Sequence, residues 1–202
     1  LASNTLHLVN PFAFGLAWVV LLAACQKTDA ITQAARFGDL EKLRDCIESG
    51  FPVDHADPAG ETPIFHIIGV GSKKAFQLLL ENDANVRLRD NQGNTTLHKA
   101  VTFGRTEFAV QLIEEGLDIN ATNKVGATAL HYAVRSANLS MVNLLIEKGA
   151  NSVMKDEKGS TPTEVAQAMN EQEGLSGPMG QIISKKQINK IILALTKSAQ
   201  DR

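Results

Sequence analysis

Hydrophobic positions fall into two regimes along this chain. Residues Phe12 to Ala24 form one unbroken apolar run that ends at Cys25. Beyond Ala30 the apolar residues recur instead at i, i+3 and i+4, the spacing that gathers them on one face of a helix. These stripes fall into register every 33 residues. Leu43, Phe76, Ala109 and Val142 make one row, Cys46, Leu79, Leu112 and Leu145 a second, and Ile47, Leu80, Ile113 and Ile146 a third. The pattern predicts a helix over Ala30 to Phe37, a partner over Leu40 to Ser49, and a comparable pair in each following period. No single period can bury its stripe alone, so the periods must stack and share a core.

The turn residues keep the same period. Gly60, Gly93, Gly126 and Gly159 are spaced by 33, as are Thr62, Thr95, Thr128 and Thr161, and Asp57, Asp90, Asn123 and Asp156. A glycine suits a tight turn with positive φ, and the threonine that follows is a good N-cap for the next helix. Pro63 and Pro162 sit at the first helical position, where a missing N–H costs nothing. The segments GETPIFHI, GNTTLHKA, GATALHYA and GSTPTEVA, with LLLENDANV, QLIEEGLDI and LLIEKGANS closing the units, resemble the ankyrin repeat. The resemblance covers roughly Asp29 to Leu195. It implies an all-α repeat solenoid of about five repeats including both caps, each a helix-turn-helix joined to the next by a hairpin loop.

The rows also place the ends. Residues 29–54 read as an N-terminal capping repeat, and 55–87, 88–120 and 121–153 as repeats two to four. Residues 154–197 read as a C-terminal capping repeat and 198–202 as a tail. In the last unit Thr161-Pro162 opens a helix to about Glu171, and a glycine-rich loop is inserted at 172–181. The frame resumes with Ile188, Ile191 and Ile192, which match Val142, Leu145 and Ile146 at an offset of 46. Lys185, Lys186, Asn189 and Lys190 supply the polar outer face that a terminal repeat needs.

Charge changes the picture at the N-terminus. The chain has 20 basic and 22 acidic residues, a formal charge of −2 that argues against a nucleic-acid partner. Every one of them lies after Gln26. The apolar run Phe12–Ala24 is shorter than the ~20 residues a membrane-crossing helix needs and has the length of a secretory h-region. Leu22-Ala23-Ala24-Cys25 resembles the lipobox of bacterial lipoprotein signals. That resemblance implies a signal peptide over 1–24, cleavage before Cys25, and acylation of Cys25 on its sulfur and its new amino group. Several acyl chains make a durable anchor. Gln26 in place of Asp resembles an outer-membrane address. Leu1 in place of Met, and the lack of Lys or Arg before Lys27, depart from such a signal. A short signal-anchor helix and an apolar element packed on the array are the other readings of the run. Residues 25–28 form a tether reaching at most ~14 Å, so a lipid on Cys25 would hold the first repeat against the headgroups.

Candidate chemistry is sparse. The two cysteines can build neither a disulfide scaffold nor a four-ligand zinc site. Cys46 stands in a row of leucines and is expected as a buried small hydrophobe. His98 and His131 hold the motif histidine, which the resemblance implies will hydrogen-bond to backbone and steady the turn. His66 is one position out of register, behind Phe65, and is expected to face the inner side of its helix or solvent. No His-x-x-x-His, Cys-x-x-Cys or paired-carboxylate arrangement accompanies these residues, so no catalytic residue, metal or cofactor is expected.

The resemblance implies that binding uses the hairpin tips and the inner helices, which form a concave palm. The candidates are Asn91, Gln92, Asn94, Lys124, Val125, Glu157 and Lys158 at the tips, with Lys99, Thr102, Phe103, Tyr132 and Arg135 on the inner helices. Tyr132, Phe103 and Arg135 are of the types that dominate interface energies. The expected function is non-enzymatic binding of a protein partner by a monomeric, lipid-anchored array. It would face the periplasm of a bacterial envelope. An immunity protein that neutralises a toxin, or an accessory factor for a periplasmic enzyme, would be special cases. An intracellular or host-directed protein with a membrane anchor is the competing location, and an enzyme built on the array is the alternative of another class.

Overall fold

A computed structural model describes residues 29–172 and 182–200; the leader, Cys25, the tether and the body of the inserted loop lie outside the described residues. The regular structure of the described residues is helical apart from isolated bridges, among them Arg89 with Thr95 and Thr122 with Thr128. Helix α1 spans residues 29–37. It is followed by α2 (Leu40–Glu48), α3 (Pro63–Val70), α4 (Lys73–Glu81), α5 (Thr96–Thr102) and α6 (Thr106–Glu114). Then come α7 (Ala129–Arg135), α8 (Leu139–Glu147), α9 (Pro162–Glu171) and α10 (Lys185–Gln200). Helices α3, α5, α7 and α9 each begin 33 residues after the last, and so do α2, α4, α6 and α8. The result is the expected solenoid of about five helix pairs.

Stacking buries the rows unequally. The first two rows are buried from Leu43 and Cys46 through Val142 and Leu145. The third is only half-buried, because it lies at the edge of each outer helix. Cys46 is 6% exposed, and burial with Asp45 nearby pushes its thiol up, so it packs as a small hydrophobe. Phe76 and Phe108 stack at 4.5 Å between α4 and α6. At the C-terminal end α10 packs on α8 and α9, burying Ile188, Ile191 and Leu195 and half-burying Ile192.

Outer helices begin at a polar cap. Asp39, Ser72 and Asn138 each accept the backbone N–H three residues on. Arg105 occupies the same register before α6 and makes no such bond. Its guanidinium reaches back instead to the carbonyls of Gly69 and Val70 at 2.8 and 3.0 Å. It thereby satisfies orphan carbonyls at the end of α3 while leaving its own helix start uncapped.

Two further periodic positions carry left-handed backbone. Gly50, Gly116 and Gly149 share a register with Asp83, and Gly38, Gly71 and Gly104 share one with Ala137; all eight have positive φ. A side chain there costs about 1–2 kcal/mol, less for Asp, which tolerates this region. Ala137 is fully buried, so its methyl recovers about 0.8 kcal/mol of that strain. Asp83 is exposed and recovers nothing by burial. At Gly149 an added Cβ meets no atom within 4 Å, which isolates the backbone effect. Gly149→Ala is therefore expected to cost about 1 kcal/mol and Asp83→Gly to gain about 0.5 kcal/mol in denaturant melts. A loss of stability in Asp83→Gly would contradict the strain assigned to that turn.

Candidate functional site

The palm is built from the hairpins upward. Each hairpin is closed by one side chain at the 33-residue register. Asp57 Oδ1 accepts the N–H groups of Ala59 and Glu61, Asp90 those of Gln92 and Asn94, Asn123 those of Val125 and Ala127, and Asp156 those of Lys158 and Ser160. Adjacent hairpins are then joined by backbone. Asn91 N–H donates to Ala59, Lys124 to Gln92, and Glu157 to Val125, at 2.9–3.1 Å. These bonds fix the tips as a row and set the inner helices beneath them.

One cleft, about 280 Å³, brings together six of the twelve sequence candidates: Gln92, Asn94, Lys99, Thr102, Phe103 and Tyr132. Ala59, Glu61, Asp90 and His98 complete its walls. Several of these side chains are already engaged. Lys99 pairs with Glu61 and lies 5.3 Å over the Phe103 ring. Tyr132 donates its hydroxyl to Asn94 Oδ1 at 3.1 Å and accepts from Asn123 Nδ2 at 3.0 Å. Thr102 donates to the His98 carbonyl. Of the other candidates, Asn91 donates its amide to the Pro58 carbonyl and Arg135 pairs with Asp156 at 3.2 Å. Gln92, Lys124, Val125, Glu157 and Lys158 are exposed at the tips.

His66 lies on the inner side of its helix, at the register of Lys99 and Tyr132, and is turned onto its own hairpin instead of into water. Its Nε2 is 3.1 Å from Asp57 and its Nδ1 3.5 Å from Glu61, with the side chain 9% exposed. Arg36 pairs with Asp57 at 2.9 Å, and Lys99 with Glu61. A five-membered chain Arg36–Asp57–His66–Glu61–Lys99 thus ties the first three repeats together. Asp57, Glu61 and His66 lie close enough to suggest a cation site. However, the two carboxylates face opposite ring nitrogens, and each already holds a protein cation. The arrangement fits two ion pairs, Arg36–Asp57 and Lys99–Glu61, with His66 held between their carboxylates.

The motif histidines behave differently. Nε2 of His98 faces the Ala127 carbonyl at 3.0 Å and that of His131 the Ser160 carbonyl at 3.1 Å, so each carries its proton there. Nδ1 must then accept, and it does so from the backbone N–H of Thr95 and Thr128. Both nitrogens are occupied, and burial pushes these imidazoles below the usual 6.5; His66 is pushed the same way by burial against the pull of Glu61 and Asp57. Burial alone would raise Asp57 and Asp156, but two backbone N–H groups and a nearby histidine hold each below 3.8. At the same register α9 has Glu164, which accepts from the Thr161 N–H and hydroxyl. Phe65 can do neither, and the buried Thr62 hydroxyl is left without a partner.

Two expectations follow from this geometry. Thr95→Val removes a capping hydroxyl that both donates and accepts, and is expected to cost about 1–2 kcal/mol. Thr62→Val removes an orphan and is expected to be neutral or stabilising in the same melts; an equal loss at both sites would refute the assignment. The second expectation concerns acid. Folded histidines with lowered pKa values refuse protons that the unfolded chain accepts, so stability is complete above 6.5 and falls as pH drops below it. A second loss begins below 3.8, as Asp57 and Asp156 are protonated. Denaturant midpoints that stay flat from about pH 8 to about pH 5 would contradict this.

Comparison with known proteins agrees with the repeat geometry. A family profile described as Ankyrin repeats (3 copies) matches residues 31–123 and 107–176. Acyl-CoA-binding domain-containing protein 1 of Arabidopsis thaliana is 40% identical over 58 residues, 29% of this chain and 17% of that protein. The chain thus spans under a fifth of that relative. The matched profile, the 33-residue helix register and the hairpin ladder agree, and the chain belongs to the ankyrin-repeat family.

Proposed function

We propose that this chain is a monomeric, non-enzymatic binding protein that takes a protein partner on its palm and is held by lipid at a bacterial envelope. Ankyrin repeats are protein-interaction modules, which supports the binding class. The observation that carries the palm reading is the cleft between the hairpins of the second and third repeats. There Phe103 and Tyr132 offer aromatic surface beside a pre-formed Lys99–Glu61 pair. A partner side chain entering it meets groups that are already ordered, so little conformational entropy is lost at that end. Gln92 lies in its wall, and the exposed tips Lys124, Val125, Glu157 and Lys158 continue the row of hairpins beyond it and would make the specific rim. The envelope reading rests on the uncharged leader and the Leu22–Cys25 box. Among the described residues no helix is long and apolar enough to cross a membrane; in this reading the attachment point is Cys25. The resulting address is the periplasmic side, with the outer membrane favoured by Gln26.

Photo-crosslinkers at Gln92, Val125 and Lys158 are expected to capture one common protein in the native cell. The same group at Lys74 or Gln111 on the outer helices is expected to leave it uncaptured. Phe103→Ala should weaken that complex about tenfold or more. Capture of the same protein with equal yield from the outer-helix positions would overturn the palm reading. For the anchor, Cys25→Ser is expected to abolish acyl labelling and release the chain from membranes. Retention of the substituted chain would overturn it.

A further inference from the structure

The two ends of the array are capped very differently. The outer helix at the N-terminal end, α2, carries both signs: Glu41, Lys42, Arg44, Asp45 and Glu48. The C-terminal helix α10 carries Lys185, Lys186, Lys190 and Lys197 and no acidic residue. Its apolar side, Ile188, Ile191 and Leu195, is buried against α8 and α9. At 100° per residue, Lys186, Lys190 and Lys197 fall within an arc of about 40° on the opposite side, and Leu193 lies about 20° from its edge. They therefore form one stripe at i, i+4, i+7 and i+11, about 16 Å long. Leu193 is 72% exposed in the middle of it. None of the four lysines is within ion-pair distance of a carboxylate among the described residues.

Solubility of a terminal repeat requires a polar outer face, and the mixed charges of α2 meet that need. A single-sign row around an exposed leucine goes beyond it. Three like charges along one face repel one another, and the leucine remains in water. Both costs are relieved by an acidic surface that also offers an apolar contact. We propose that the Lys186–Lys190–Leu193–Lys197 stripe of α10 is a second docking surface, for an acidic protein segment that places an apolar residue on Leu193. A lipid surface fits less well, because the residues an interfacial helix would insert are committed to the core and only Leu193 remains. Nucleic acid fits less well too: the stripe has no arginine or aromatic, and phosphates give Leu193 nothing to pack on. The surface lies on α10, none of whose residues lines the cleft between the hairpins of the second and third repeats, and does not depend on the palm reading.

The test uses the full chain and a fluorescently labelled, glutamate-rich amphipathic peptide with a single row of leucines. Reversing the stripe (Lys186→Glu, Lys190→Glu and Lys197→Glu together) is expected to weaken peptide binding about tenfold or more. Leu193→Ser, which leaves the charge unchanged, is expected to weaken it about fivefold, and that loss should persist in high salt. An equal reversal at the exposed lysines Lys42, Lys74 and Lys155 should change binding less than about twofold. Circular dichroism melts confirm that each variant folds. Equal loss in the control variant, or no loss in Leu193→Ser, would reduce the stripe to general charge and overturn the proposal. Tighter retention on phosphatidylglycerol vesicles than on the peptide, insensitive to Leu193→Ser, would overturn it in favour of a lipid surface.

Discussion

At the base of each hairpin, one short side chain gathers two backbone N–H groups that would otherwise point into space. Asp57, Asp90, Asn123 and Asp156 do this in four successive units. The closed turn leaves one N–H and one C=O free to meet the neighbouring hairpin, which gives the ladder Asn91 to Ala59, Lys124 to Gln92 and Glu157 to Val125. Every later feature depends on that register. The threonines arrive at helix starts, the histidines reach the next unit's carbonyl, and the apolar rows meet across the stack. The glycines complete it: at Gly126 a Cβ would stand 2.9 Å from the backbone nitrogen of Glu157, so only a hydrogen lets the hairpins approach this closely.

The ladder also explains how charge is handled on the concave side. Lys99 and Tyr132 occupy equivalent positions on successive inner helices, and each reaches back to the hairpin of the previous unit, Lys99 to Glu61 and Tyr132 to Asn94. Arg36 and Arg135 repeat another relation: each holds a hairpin aspartate 21 residues on, Asp57 and Asp156. Charges on the inner helices are therefore paired with hairpin carboxylates, whereas Lys124, Glu157 and Lys158 stay exposed at the tips. That pairing separates the inner helices from α10, whose lysines are left unpaired by the described chain.

The fold was legible because it is a sum of local rules repeated in register. Rows such as Cys46, Leu79, Leu112 and Leu145 can be read without coordinates, and the inner face they imply is buried. The resemblance also anticipated the backbone role of His98 and His131. What stayed hidden were contacts between units that follow no apolar pattern. The partners of His66 were not read because it was compared with the motif position alone. Its real neighbours are carboxylates nine and five residues before it, and their cations come from the repeats on either side. A signal for part of this was present, since the Arg36 to Asp57 spacing recurs as Arg135 to Asp156. The registers of Asp83 and Ala137 were also visible as breaks in two glycine rows. The palm cleft was not, because its walls come from two helices and two hairpins.

Local satisfaction is not uniform along the array, and in a stack of repeats stability is a sum of unit and interface terms. The third, fourth and fifth units each close their inner helix with a threonine answered by His98, His131 or Glu164. The second unit has Phe65 there and leaves the Thr62 hydroxyl buried and alone, a cost of about 1–3 kcal/mol. That unit is also the one clasped by the Arg36–Asp57–His66–Glu61–Lys99 chain, which links it to both neighbours. The ion pairs do between repeats what the missing capping bond does not do within one. They link the second unit to the first and third, so part of its stability depends on both neighbours being folded. Such coupling keeps the hairpin that carries Glu61, one wall of the palm cleft, fixed to the helix that carries Lys99 and Phe103.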